Sequence, residues 1–280
     1  MIGASAVLVS LVAQNVGAAF AKQLFPLVGA YGVTGLRIAL AALLLLALRR
    51  PWRRWPSRAM LPALIAYGVM LGLMNLLIYQ AFARLPIGIA TGIEVLGPLT
   101  VVLCGSRARR DLAWLVAAVI GLVLLLPLYS GAVLDPLGLA FAGGAATCWA
   151  LYIVYGKRVA SALGGDAVAW GMVVAAAINV PIGAATAGSA LLAPSVLAVG
   201  LAVAILSSAL PYSLEMEAMR RLPAHVFGIL LSAAPAVAAL AGFFVLGEVL
   251  TPLQWFAILL IMAASAGSAM SAAKQPALMR

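Results

Sequence analysis

"ARLPIGIATGIEVLGPLTVVLCG", Ala83–Gly105, decides the fold. It is apolar over about the 20 residues that a helix needs to cross a hydrocarbon core. Yet it carries an acid, Glu94, and a proline, Pro98, near its middle. It also has a counterpart. "RRLPAHVFGILLSAAPAVAALAG", Arg220–Gly242, aligns with it at a constant offset of 137. Leu85-Pro86 falls on Leu222-Pro223, Pro98 on Pro235 and Gly105 on Gly242. After a four-residue shift Trp114 falls on Trp255, and near the start of each half Lys22 matches Lys157. The ordered series reads as an internal repeat.

The rest of the chain has the same character. Of 280 residues 66% are hydrophobic and 9% charged, against about half and a quarter in a soluble domain. The apolar residues come in long runs and not in short alternating segments. An all-α integral membrane protein is therefore expected, not a barrel. Ten spans are read, at 4–22, 29–48, 60–82, 86–105, 111–128, 136–156, 166–186, 196–218, 223–246 and 252–272. Fourteen of the 17 Lys and Arg residues fall in alternate gaps, among them Arg49–Arg58, on the side of both termini. By the positive-inside rule both termini are cytoplasmic. The net charge of +10 is thus a property of loops, and with no soluble domain to carry it nucleic acid is excluded as a partner. The lipid bilayer is the expected surroundings, and the oligomeric state is not legible. Cys104 and Cys148 lie in apolar runs without metal-ligand spacing, so no metal, cofactor or disulfide is expected.

Five spans is an odd number, so two repeats of five, residues 1–130 and 131–280, must be inverted relative to each other. Together they form one membrane domain. Inverted repeats are typical of alternating-access transporters, and matched interrupted helices point to the binding site. Here those are the fourth and ninth spans, with Pro98 and Pro235 as gating or bending positions or as packing features alone. Gly68-x-x-x-Gly72 and Gly88-x-x-x-Gly92 would let helices approach closely.

"AKQLFPLVGAYGVTGLRIAL" (21–40), "CWALYIVYGKR" (148–158), "GLAVAILSSALPYSLEMEAMRRLP" (200–223) and "GEVLTPLQ" (247–254) resemble the ten-helix drug/metabolite transporter superfamily. Within it the chain is similar to the threonine/homoserine exporter group and related broad amino-acid exporters. The resemblance covers nearly the whole chain. It implies a secondary transporter of bacterial inner membranes, exporting amino acids through a central cavity between the repeats; the aromatic and small residues and few charges expected there predict several, mainly neutral, substrates. It leaves the preferred substrate and any proton coupling open. Export of other metabolites or cationic drugs on the same scaffold is the alternative. A channel would need a continuous polar stripe or charged ring, which is missing. So is any set of groups that would make an enzyme.

Ionisable groups inside a bilayer are costly and therefore informative. Glu94 is read in two ways: lining the cavity to meet a substrate ammonium or a proton, or tied structurally to Arg37. Asn75 and Tyr79 share a face of the third span, Trp149 and Tyr152 a face of the sixth, and Asn15 lies in the first. These are candidate substrate contacts, with helix packing as the competing reading. His225, with Ser232 on its face, is a candidate protonation switch or a polar cap. Glu215 shares a face with Ser208 and Tyr212 and is a candidate for a cytoplasmic entrance. Glu217 is read as an ion-pair partner of Arg221.

Overall fold

The computed structural model describes residues 2–53, 55–104, 109–125, 134–222 and 230–273, and they are helical with no strand among them. The helices are α1 (Ile2–Gln23), α2 (Phe25–Arg49), α3 (Leu61–Phe82), α4 (Ile87–Glu94), α5 (Leu96–Cys104) and α6 (Arg109–Leu125). They continue as α7 (Pro136–Leu163), α8 (Asp166–Ala187), α9 (Pro194–Ala204), α10 (Leu210–Arg221), α11 (Ala234–Ala241) and α12 (Pro252–Ala273). Six are long and apolar enough to cross a membrane, α9 and α10 counting as one. Four shorter apolar helices, Ile87–Val101, Ala113–Leu124, Ala234–Leu246 and Pro252–Ser268, occupy the other expected spans. The largest shift of a boundary is at α7, which runs to Leu163 and ends on Gly164, where φ is 55°.

Proline explains where the helices break. The fourth span is interrupted at Val95, between α4 and α5. Pro98 cannot donate the N–H that would bond the Glu94 carbonyl, so the ladder fails one turn before the ring. The ninth span is interrupted at Ser232 and Ala233, three and two residues before Pro235, for the same reason. Val95 and Ser232 lie 137 residues apart, the offset at which the two stretches align. In the eighth span Pro211 lacks the N–H that would bond the Ser207 carbonyl, and residues Ile205–Ala209 widen to a π-helical turn. Inside α2 the helix kinks at Gly29, whose φ of 67° would strain any side chain.

Packing relates the halves. α1 lies against α10 and α11, and α7 lies against α3 and α4. α2 lies against α9 and α8 against α3, while α2–α8, α6–α12 and α4–α11 are direct pairs. Small residues make these approaches possible. A Cβ on Gly35 would stand 2.8 Å from the Asn179 carbonyl oxygen, and one on Gly97 only 2.1 Å from that of Ala146. Gly68 and Gly72 meet α8 at Val174 and Ala175, and Gly88 meets Ala239 of α11. Outward, large apolar side chains such as Val12, Leu43, Ile65 and Phe244 are exposed, a surface suited to lipid tails.

Candidate functional site

A buried polar constellation centred on Arg37 sits among the described helices. Arg37, on α2, is 2% exposed. Its Nη1 donates to the Ser207 carbonyl (3.2 Å), to Ser207 Oγ (3.3 Å) and to Ser208 Oγ (2.7 Å). Its Nη2 donates to Asn75 Oδ1. The π-helical turn before Pro211 is what makes this possible, because it leaves the Ser207 carbonyl available to a side-chain donor. Asn75 is fixed in turn, donating to Leu71 O (2.8 Å) and to the Tyr212 hydroxyl (3.4 Å). The Arg37 guanidinium also lies 4.4 Å from the centre of the Tyr79 ring, a cation–π contact. The buried guanidinium is held by neutral acceptors from two spans, the third and the eighth, and by no carboxylate partner among the described residues.

Glu94 does not supply that partner. It makes no ion pair with Arg37, and among the described residues its carboxylate has no hydrogen bond. The expected tie between the two is therefore absent as a direct contact. Glu94 instead ends α4 and lines a cavity between the helices. Arg37, Asn75, Tyr79, Tyr152, Trp149, Asn15, Ser207 and Tyr212 line the same space. Asn15 donates to Leu11 O at 2.8 Å, which turns its amide along α1. Tyr152 stacks on Tyr67 at 4.9 Å and accepts a hydrogen bond from the Tyr67 hydroxyl at 3.3 Å.

Glu215 lines this cavity as well. It accepts a hydrogen bond from Ser10 Oγ at 2.9 Å, and the same hydroxyl lies 3.3 Å from Pro211 O. Ser232 is buried beside Leu231 and Ala234, which line the cavity, but is not itself in the lining. His225 and the side chains of Glu217 and Arg221 lie outside the described residues. Sequence reasoning missed Gln14, Thr91 and Ser207, which also line the cavity. Thr91 had a legible signal, since it stands three residues before Glu94 on one helix face.

At the end of α1, Lys22 Nζ pairs with Glu248 Oε1 at 2.6 Å and donates to Leu85 O at 2.9 Å. Glu248 Oε2 accepts from the Ile87 N–H at 2.8 Å, meeting one of the unpaired donors at the start of α4. Residues from both halves thus fix where α4 begins and so where Thr91 and Glu94 point. Metal ligands are not grouped anywhere among the described residues.

The chain is similar to known transporters over most of its length. The model of the EamA-like transporter family matches residues 136–270. The threonine/homoserine exporter RhtA of Escherichia coli (strain K12) is 51% identical over 270 residues, covering 96% of this chain and 91% of the relative. The threonine/homoserine exporter RhtA of Salmonella typhimurium (strain LT2) is 50% identical over 262 residues, covering 93% and 88%. A protein crystal structure that is 21% identical superposes with a TM-score of 0.69, over 96% of this chain and 98% of its own, and so shares the fold.

Proposed function

We propose, from the premise that the chain belongs to the EamA-like transporter family of the drug/metabolite transporter superfamily, that it exports amino acids by alternating access. The observation that carries the reading is the cavity. It holds a buried cation, Arg37, and an unpaired carboxylate, Glu94, within an otherwise apolar bundle. A zwitterion has the complementary pair: its ammonium meets Glu94 and its carboxylate meets Arg37. Both groups are costly in a bilayer unless they serve such a partner or face water. Aromatic and aliphatic walls, Met74, Ile78, Phe82 and Trp149, suit small neutral side chains. Glu94 and Glu215 are the two acids of the cavity and the sites at which a coupling proton would bind.

Two inverted five-helix repeats, residues 1–130 and 131–280, supply the movement. The matched breaks before Pro98 and Pro235, and the exchange of packing partners between halves, support this division. The Lys and Arg distribution supports cytoplasmic termini, and the bacterial relatives support an inner membrane.

The test is efflux of labelled threonine, homoserine, valine and alanine from liposomes holding the purified protein. Faster release than from empty liposomes is expected for several of them. No acceleration for any amino acid overturns the reading.

A further inference from the structure

Two ion pairs are present among the described residues, Lys22–Glu248 at 2.6 Å and Arg84–Asp135 at 3.4 Å. Both join residues 1–130 to residues 131–280. Both lie at one end of the bundle, because Lys22 donates to the carbonyl of Leu85, the neighbour of Arg84. A third tie there, from Gln23 Nε2 to the Val245 carbonyl at 3.1 Å, also crosses between the halves. Elsewhere Arg49, Arg50, Arg53, Arg58, Lys157 and Arg158 are exposed and form no ion pair among the described residues.

Glu248 is held on both of its oxygens. Oε1 meets Lys22, and Oε2 accepts from the Ile87 N–H at 2.8 Å. Gly247, at φ 69°, turns the chain just before the acid, and a Cβ on Gly242 would stand 2.5 Å from Oε2. The knot lies directly beyond the cavity. Ala18, Phe82 and Thr91 line that space. Lys22 is four residues past Ala18, Leu85 three past Phe82, and Ile87 four before Thr91, in each case about one turn. Three lining segments thus converge on one carboxylate and one ammonium. Leu85 and Ile87, where they meet, are each 1% exposed. While the knot holds, these segments cannot part at that end.

We propose that Lys22 and Glu248 form the latch of an external gate, a pair that closes the cavity at this end and parts for substrate to leave. This rests on the alternating-access reading and the orientation above and extends them. The positive-inside rule puts the end of the first span outside. A gate needs a contact that holds and also releases. The two side chains are 22% and 15% exposed, so water takes over their charges as they separate. A fully buried pair would resist separation, because each ion would be left uncompensated. The Arg84–Asp135 pair, longer and more exposed, flanks the latch.

Ala18→Cys, in the full chain without Cys104 and Cys148, reports on the gate, because Ala18 lines the cavity one turn from Lys22. Its rate of labelling by an impermeant thiol reagent is measured in intact cells, with Tm of the purified variants alongside. Glu248→Gln keeps an acceptor for the Ile87 N–H and removes the charge. Lys22→Met keeps the stem and removes the cation. Each should raise the rate of labelling from outside about three- to tenfold, between the worth of an exposed ion pair and that of a charged hydrogen bond. A second measurement does not depend on the reporter. Lys22→Cys and Glu248→Cys, joined by a short bifunctional thiol reagent, should stop efflux from liposomes, whereas the monofunctional analogue should not. Labelling at the wild-type rate in both charge variants, even with a lowered Tm, makes the pair structural only and overturns the latch while leaving export standing. So does full efflux by the cross-linked chain. Faster labelling in a protein that carries no amino acid supports the gate and overturns the amino-acid reading alone.

Discussion

Arg37 and Glu94 look like an ion pair when met in the sequence, and the structure separates them. Arg37 spends its Nη donors on Ser207, Ser208 and Asn75, while Glu94 stays unpaired at the cavity wall. Their substitutions should therefore behave differently. Glu94→Gln keeps shape and removes only the charge. Its efflux should fall about tenfold or more, the worth of a hydrogen bond to a charged group, with Tm close to wild type. Arg37→Gln strands the Ser207 carbonyl, Ser208 Oγ and Asn75 Oδ1, each at a cost of about 1–3 kcal/mol. It should lose both efflux and several degrees of Tm. Efflux and thermal unfolding measured together on the two variants and the double mutant decide the matter. Wild-type efflux by Glu94→Gln would remove this acid from the mechanism. Recovery of Tm in the double mutant would show that the two side chains compensate each other after all.

At the scale of helices, the site depends on how closely α5 can approach α7. Gly97 lies one residue before Pro98, and a Cβ there would stand 2.1 Å from the Ala146 carbonyl oxygen. Backbone cannot yield as a flexible side chain can. Gly97→Ala should push α5 away from α7 and destabilise the protein by about 1–3 kcal/mol, the usual cost of overpacking. Because Trp149 and Tyr152 of α7 line the cavity, efflux should decline as well. Gly143→Ala is the control, since nothing lies within 4 Å of its Cβ position. A Tm for Gly97→Ala equal to that of Gly143→Ala would refute the argument. The helix breaks belong to this scale too. Prolines were legible as bends, and their position one turn early follows from the missing N–H, not from the ring itself.

For the whole molecule, orientation is the open property with the simplest test. Arg53 is exposed in the Arg-rich connection after α2. Arg53→Cys, in a background without Cys104 and Cys148, should resist impermeant thiol reagents in intact cells and react once the membrane is opened. Ready labelling from outside would invert the topology. That ten apolar segments would become helices was determined by the sequence alone. In a bilayer every backbone polar group must be satisfied within its own segment, so apolar runs of that length have little other choice. The ordered recurrence of prolines, glycines and Leu-Pro pairs was also legible in the sequence. Asn15, Asn75, Tyr79, Glu94, Trp149, Tyr152 and Glu215 were singled out for being polar or aromatic where such groups are costly, and all of them line one cavity. What the sequence could not decide is which polar groups satisfy one another. Ser207 and Ser208 lie 170 and 171 residues from Arg37 along the chain, and Glu248 lies 226 from Lys22. Only packing brings them together, and only packing leaves Thr91 and Tyr79 without partners. Burial is written in the local run of residues, whereas hydrogen-bond pairing between spans is a property of how those spans cross.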